Sequence, residues 1–242
     1  MKNKIWWLVV IATYYKKVKE GIFMNIILGL VSIILCFTCI VIIEKVFKKE
    51  GLIVWMSFAT VVANIVVVKM VNLFGFTSSL WNILFASNFL ATDILVEKYD
   101  KESAKRSIKM ALVFTLIFIG VTQISLLFIP DSTDIAQNAM KELFSLNVRA
   151  SIASITMYYI SNNLDILLFE KIKKKFPKQL WLRNNVATIV SNCTENYIFN
   201  FLAFVGIFNL TTIISIATTS TVIEIIIALL DTPFLYLSKH LK

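Results

Sequence analysis

The sequence predicts an all-α bundle of about seven membrane-spanning helices. Its 242 residues are 58% hydrophobic and only 16% charged, with a mean hydropathy of +0.78. A soluble protein of this length would lack the charged residues needed for its surface. The apolar residues also form blocks of about 20, the length of helix that crosses a hydrocarbon core. Because lipid leaves an open backbone unsatisfied, and the blocks are too long for barrel strands, we expect helices.

The apolar blocks divide the chain into an N-terminal part, residues 1–48, and a six-helix core, residues 49–242. Residues 5–15 form a short apolar run between basic residues, but no small-residue cleavage site follows. We therefore interpret them as a retained interfacial segment rather than a signal peptide. The predicted spans are residues 22–43, 52–74, 78–97, 107–129, 147–170, 185–208 and 211–237.

The basic residues predict the orientation of the bundle. They concentrate around residues 45–49, 98–109 and 171–183 and at the C-terminus, which all fall on one side of the predicted spans. That side is expected to be cytoplasmic. The net charge of +9 is thereby explained by topology, and we expect no nucleic-acid partner. Lysines in residues 16–19 would lie outside if the first span crosses, so the side of the N-terminus stays open.

Enzymatic and metal chemistry have few residues to use. The chain has three cysteines and one histidine, His240. Cys36 and Cys39 share an apolar block, where cysteine usually behaves as a small hydrophobic residue. No nucleophile–base arrangement or glycine-rich phosphate loop is present in the sequence. We therefore predict a protein that is not an enzyme and has neither a metal site nor a cofactor.

Polar residues recur inside the blocks at helical spacing. A charge in hydrocarbon costs a few kcal/mol, so it usually faces the bundle interior and marks a solute pathway. For serine and threonine, hydrogen bonding between helices is the simpler explanation. Carboxylates and amides pair with the edge of a heterocycle, and aromatic rings stack on its face. The predicted residues for binding a flat, polar solute are Asn64, Lys69, Phe85, Asn88, Phe89, Thr92, Asp93, Arg149, Tyr158, Asn162, Asp165, Asn192, Glu195 and Glu224.

Two of the acidic residues are also candidates for coupling transport to an ion. Asp93 and Glu97 lie four apart in the third predicted span, where either could carry a proton. For Glu97, close to the end of the span, a charge that reaches the interface is the simpler explanation. In addition, residues 87–98 share a short pattern with residues 161–171. We interpret it as a trace of two three-helix halves that run in opposite directions.

Four segments carry a family resemblance. Residues 89–99 read FLATDILVEKY, and residues 149–154, 181–185 and 228–233 follow in order as RASIAS, WLRNN and ALLDTP. These segments resemble the queuosine-precursor transporter family, also called the vitamin uptake transporter family. The resemblance covers roughly residues 52–238. It implies a six-helix core, to which the helix at residues 22–43 is an addition.

What the resemblance implies about function is the uptake of 7-deazaguanine bases across the bacterial cytoplasmic membrane. The solutes would be queuine, 7-aminomethyl-7-deazaguanine and 7-cyano-7-deazaguanine. The chain departs from the family at Glu195, where the family usually has aspartate, and at Glu224, where it usually has lysine. An added carboxylate attracts a cation in a low dielectric. We therefore predict a preference for the solutes that carry an amine.

One alternative is a substrate-binding membrane subunit of an ATP-driven (ECF-type) vitamin importer. Ala59 and Ala63 form a small-xxx-small pair, which is typical of a face where helices dock. The sequence leaves open the coupling ion and the oligomeric state, a homodimer included. The partners it predicts are the lipid bilayer and the small solute.

Overall fold

The predicted all-α fold class is confirmed. The computed structural model describes the backbone of residues 2–66, 69–73, 76–79, 81–144 and 148–241, and the side chains of residues 21–66, 69, 71, 83–144 and 152–241. The helices are α1 (Lys2–Val66), α2 (Trp81–Lys98), α3 (Lys101–Leu127), α4 (Gln137–Phe144), α5 (Val148–Lys175), α6 (Leu180–Phe204) and α7 (Leu210–His240). Strands β1 (Met70–Leu73) and β2 (Phe76–Ser79) pair antiparallel between α1 and α2.

Helix α1 has two arms that meet at a corner. Lys48 adopts a φ of 55° and a ψ of −141°, which interrupts the helix. Just beyond the corner, a Cβ on Gly51 would lie 2.6 Å from Cγ2 of Ile43 and 2.8 Å from Cβ of Phe47. Only glycine fits this close approach without a shift of the first arm. The loop expected between the first two spans is therefore a sharp corner at one residue.

The predicted second span, residues 52–74, is too long. Helix α1 ends at Val66, and the hairpin of β1 and β2 occupies the chain before α2. A short apolar run reads alike for a strand and a helix, and hydropathy does not separate them. The signal for a turn was present in Gly75 and in the small polar residues that follow it.

Hydropathy separates the helices into two groups. By length and composition, Gly21–Val66, Lys101–Leu127 and Leu210–His240 are candidate membrane spans among the described residues. These ranges contain the predicted spans 22–43 and 211–237 and cover the predicted span 107–129 as far as residue 127. Helices α2, α5 and α6 fall outside this group because polar residues occupy their buried faces.

Helix α2 lies at the centre of the bundle. It packs against α1, α3, α5 and α7, and nearly every side chain from Phe85 to Val96 is buried. In contrast, α3 exposes a row of large apolar side chains that includes Phe114, Ile117 and Val121. Such a surface belongs in lipid, where apolar side chains need no partner. The interfacial segment expected at residues 5–15 lies outside the described side chains.

The expected inverted repeat is not what the shared pattern marks. Phe85 of α2 lies against Tyr158 of α5, and further along Glu97 pairs with Lys173. Because later residues of α2 contact later residues of α5, the two helices run in the same direction. The two patterned segments therefore lie on neighbouring parallel helices, and the interpretation as opposed halves is wrong for them. Their likeness brings similar polar residues to one place.

Candidate functional site

The ends of several helices meet at what we call the basic end of the bundle, around Glu97 of α2. Its carboxylate lies 2.6 Å from Nη2 of Arg183, 3.0 Å from Nζ of Lys173 and 2.7 Å from Nζ of Lys239. These cations come from α6, α5 and α7. One carboxylate therefore joins four helices, and Arg183 is only 1% exposed at this position.

A second ion pair ties the corner of α1 to the basic end. Glu44 is buried, and its carboxylate lies 2.8 Å from Nζ of Lys98 and accepts a 2.7 Å hydrogen bond from the Tyr99 hydroxyl. Lys98 also donates to the carbonyls of Ser238 and Leu241 in the last helix. The basic regions that the charge pattern placed on one side of the membrane thus meet at one end of the bundle.

Just above the basic end, two carboxyl groups face each other. Asp93 of α2 and Asp165 of α5 are fully buried, and their carboxyls lie within hydrogen-bonding reach of one another. Thr188 of α6 donates to Oδ1 of Asp165 at 3.3 Å. No donor among the described residues forms a hydrogen bond with either carboxyl oxygen of Asp93 or with Oδ2 of Asp165. We call Asp93 and Asp165 the carboxyl pair.

A larger group of buried polar side chains lies one to two helical turns farther from the basic end. They share near-complete burial, between 0% and 5% exposed. We call them the central cluster: Asn88, Tyr158, Asn162, Asn192, Glu195 and Glu224. They come from α2, α5, α6 and α7.

The amides of the central cluster use their nitrogens and leave their oxygens unused. Nδ2 of Asn88 donates to Oγ1 of Thr60 at 3.0 Å, and Nδ2 of Asn162 donates to the carbonyl of Tyr158 at 2.9 Å. Among the described residues, no donor reaches the buried Oδ1 atoms of both asparagines, and neither amide atom of Asn192 has a partner. The cluster therefore presents mainly hydrogen-bond acceptors.

Its carboxylates are not balanced by cations. Glu224 accepts a 2.7 Å hydrogen bond from Asn196, and Glu195 lies near the Ser161 hydroxyl and close enough to Glu224 for their charges to interact. Oε2 of Glu195 has no donor. Among the described side chains, no lysine or arginine forms an ion pair with either glutamate. Two neighbouring acids thus depend on neutral donors alone.

Aromatic and hydroxyl side chains border the cluster. The ring of Phe85 makes edge-on contacts with Phe89 at 5.9 Å and with Tyr158 at 5.7 Å. Thr92 is buried and donates to the carbonyl of Asn88 within its own helix. These rings form a buried apolar wall beside the polar atoms, as a site for a flat solute requires.

Two of the residues predicted to bind the solute lie outside the carboxyl pair, the central cluster and the side chains that border it. Asn64 is half-buried and donates to the carbonyl of Thr60 in its own helix. Lys69 follows the end of α1, and its side chain is exposed, because the helix expected through residue 74 ends early. The side chain of Arg149 lies outside the described residues.

Other residues take part that sequence reasoning did not select. Thr60 bridges Asn88 and Tyr158, and Asn196 holds Glu224. Asn184 donates to Asp231 at 2.6 Å. Their types were visible in the sequence, but polar residues in spans are common as helix contacts. Only their position next to the unpartnered atoms distinguishes them.

Buried polar atoms without partners carry a free-energy cost. Each one costs about 1–3 kcal/mol when it is removed from water and given nothing in return. Such atoms concentrate in the carboxyl pair and the central cluster, on α2, α5 and α6. In a membrane protein this concentration is typical of a solute or ion pathway rather than of helix packing.

Comparison with known proteins identifies the family of this chain. The sequence model of the family described as "Putative vitamin uptake transporter" matches residues 79–238. The chain belongs to the vitamin uptake transporter family. It is therefore a multi-pass membrane protein of a family of transporters and not an enzyme. The matched region holds both the carboxyl pair and the central cluster.

Two curated proteins are similar to this chain in sequence. A "Probable queuosine precursor transporter" of Bacillus subtilis (strain 168) is 36% identical over 210 residues, 86% of this chain and 92% of that protein. The "Queuosine precursor transporter" of Escherichia coli (strain K12) is 26% identical over 142 residues, 59% of this chain and 62% of that protein. No solved structure gives a significant match.

Proposed function

We propose that this protein imports queuosine precursors, as 7-deazaguanine bases, into the bacterial cell, with its C-terminus and basic end in the cytoplasm. The names of the two relatives support the substrate class. The observation that carries the proposal is the set of buried acceptor atoms without donors in the central cluster. Residues 49–242 form the transporting core, and residues 1–48 are an addition held to it through Glu44.

The chemistry of the cluster fits a guanine-like ring. Such a base presents several N–H donors along its edge and one carbonyl acceptor. The free oxygens of Asn88, Asn162 and Glu195 accept from N–H groups, while the free amide of Asn192 both donates and accepts. Phe85 and Tyr158 supply apolar surface beside the ring. A site built to bind N–H groups rejects a solute that lacks them, because its buried acceptors then stay unpaired.

A preference among the bases follows from the two glutamates. Glu195 and Glu224 are close to one another and have no described cation between them. A solute that brings an ammonium group restores the balance, whereas a nitrile does not. The aminomethyl base and queuine carry an amine, and the cyano base has none. The proposal is therefore a preference for the amine-bearing bases.

Uptake in cells tests the substrate class. The chain is expressed in bacteria that lack both queuosine synthesis and their own precursor uptake, and each base is supplied separately. We expect queuosine to return to tRNA with 7-aminomethyl-7-deazaguanine at low external concentration. Failure with all three bases, while the protein is present in the membrane, overturns the proposal.

Two adjacent asparagines give a matched pair for the site. Asn162 has a buried oxygen without a donor, whereas Asn163 is half-buried and donates to the carbonyl of Tyr159 in the same way. We expect Asn162→Ala to lower uptake about tenfold, the equivalent of one lost hydrogen bond to solute. Asn163→Ala should leave uptake within about twofold. Equal effects of the two changes would place binding elsewhere.

The charge at Glu224 tests the preference. Glu224→Gln keeps the size of the side chain and its neighbour Asn196 while it removes the charge. We expect uptake of the aminomethyl base to fall about tenfold relative to uptake of the cyano base, from one lost charge-assisted contact. The ratio of the two uptake rates is the measurement, so a general loss of protein does not imitate the effect. An unchanged ratio removes Glu224 from amine recognition.

The alternative of an ATP-driven importer subunit gains no support. Ala59 and Ala63, the pair that favoured it, are 0% and 4% exposed. They are packed inside the chain, so this face is already used for contacts of α1 with its own bundle. A transport assay in liposomes without any ATPase separates the two mechanisms directly.

A further inference from the structure

The carboxyl pair differs from the other buried acids in what surrounds it. Asp93 and Asp165 are 0% exposed and face each other from parallel helices. Their single hydrogen-bond donor among the described side chains is the neutral hydroxyl of Thr188. Two ionised carboxylates at this separation repel strongly in a low dielectric, and nothing on the described side chains offsets both charges. The pair therefore requires a bound cation.

The neighbouring charges do not supply it. Arg183 is the nearest base and its single charge reaches the pair, but its Nη2 is taken by Glu97, its Nη1 by the carbonyl of Pro177, and its Nε forms no hydrogen bond with either aspartate. From α7, Asp231 adds a further acid whose charge reaches the pair. Next to Asp231, Asn184 is fully buried and leaves its oxygen without a donor. The surroundings thus increase the demand for positive charge.

The ion that fits is a proton. Sodium sites in transporters draw several ligands from the carbonyls of unwound helix segments. Here α2, α5 and α6 continue without interruption past Asp93, Asp165 and Thr188, so their carbonyls are used within the helices. The described residues also contain no group of three or more histidine, cysteine, aspartate or glutamate side chains placed to hold a metal ion. A proton needs only the two facing oxygens.

We propose that the carboxyl pair binds one transported proton, and that this proton drives the uptake of the solute held in the central cluster. The inference rests on the proposed function. The pair lies between the central cluster and the basic end, about five residues along α2 from Asn88, or about 7 Å. A proton bound from the outer side leaves to the inner side, and the emptied pair repels until another proton arrives. Glu97 has no part in this step, because three cations already hold it.

The test uses the full chain in liposomes, with the membrane potential held at zero. Counterflow of labelled for unlabelled 7-aminomethyl-7-deazaguanine, with the cyano base in parallel, reports binding and translocation without any gradient. Accumulation driven by a pH gradient, acid outside, reports coupling. For one proton per solute, a gradient of about one unit should drive about tenfold accumulation, and protein-free liposomes should show none.

The variants separate coupling from binding. We expect Asp93→Asn and Asp165→Asn to lower accumulation under the pH gradient at least about tenfold more than they lower counterflow, so the ratio of the two activities is the measurement. Retained counterflow also shows that the variants fold. Glu102→Gln, an exposed acid on α3, is the control and should keep both activities.

Each other outcome counts against the inference. Counterflow by the unchanged protein without accumulation under the pH gradient overturns proton coupling, as does accumulation that follows a sodium gradient instead. Counterflow could also be lost in both Asp93→Asn and Asp165→Asn while a thermal-unfolding measurement shows that both proteins are folded. That result would assign the carboxyl pair to solute binding instead of proton binding. The absence of counterflow with either base in the unchanged protein overturns the proposed function, and the inference with it.

Discussion

The basic end and the central cluster contain the same kinds of buried side chain in opposite states. At the basic end, Glu97 has three cations within 3.0 Å, and Glu44 has a lysine and a tyrosine hydroxyl. In the central cluster, Glu195 and Glu224 have amide and hydroxyl neighbours and no described cation. The acids of the first group have cationic partners within the protein, whereas those of the second have none among the described side chains.

The presence or absence of a cationic partner distinguishes glutamates that stabilise the fold from glutamates that are candidates for solute contact, which burial alone does not. All four glutamates lie largely within the bundle, yet only the unpaired ones are candidates for solute contact. A buried acid that is fully paired holds helices together, and removal of one partner leaves an uncompensated charge. A buried acid without a partner gives little to folding, so its replacement should affect transport instead. Three changes sharpen the comparison, in order of their expected effect on folding stability.

The largest effect is expected at Glu97. Glu97→Gln leaves the buried guanidinium of Arg183 without its carboxylate and releases Lys173 and Lys239. Breaking a buried pair in this way costs about 3–5 kcal/mol. Thermal unfolding of the purified protein in detergent measures the loss. The exposed pair of Glu102 with Lys105 is the control, because Glu102→Gln should change stability by less than about 1 kcal/mol. Similar unfolding temperatures for both variants would break the contrast.

A smaller effect is expected at the corner of α1, which packs into the basic end. Gly51→Ala forces a methyl group to within 3 Å of Ile43 and Phe47, so the arms must separate. Overpacking of this kind costs about 1–3 kcal/mol. Gly120→Ala on α3 is the matched control, since that site is open, and alanine there should stabilise by about 0.5–1 kcal/mol. Opposite signs of the two shifts in unfolding temperature are the expected result. A stabilising Gly51→Ala contradicts the close approach.

The smallest effect on folding is expected at Asn192, in the central cluster. Neither of its amide atoms has a partner among the described residues. Asn192→Leu therefore breaks no described hydrogen bond and removes two unpaired buried polar atoms. The free energy of unfolding should decrease by less than about 1 kcal/mol or increase, because the replaced amide forms no stabilising hydrogen bond. Uptake of the aminomethyl base should nevertheless fall about tenfold or more. A large loss of stability would show that the cluster is structural.

The effect of pH on folding stability through the Asp100 cap is expected to be smaller than the effects of these changes. Asp100 caps the start of α3, and the hydrogen bonds from the backbone N–H and hydroxyl of Ser103 hold the pKa of its carboxyl below the usual range. The cap is therefore intact wherever the carboxyl is ionised. It contributes to stability above the ordinary aspartate pKa and is lost only as the pH falls through the lowered value.

The burial of the acids could be predicted from the sequence, because membrane helices obey a simple rule. A carboxylate or amide in a long apolar block has few reasons to be there, so Asp93, Asp165, Glu195 and Glu224 were identified as inward-facing, and each is buried. The rule failed at Lys69, because it assumed that the apolar block continued as helix to residue 74. It gave no reason to select Thr60 or Asn196, since hydroxyls and amides are ordinary helix contacts.

The amino-acid sequence by itself determined that the chain is a helical membrane protein, that its basic loops share one side, and that acids lie within the helices. Each of these conclusions follows from the composition and the spacing of residues along the linear sequence. Only the tertiary structure decided which acids are paired. Glu97 reaches three cations from helices that lie 76 to 142 residues away, whereas Glu195 and Glu224 meet none that is described. Pairing depends on distances between helices, and a sequence read one helix at a time contains no such distances.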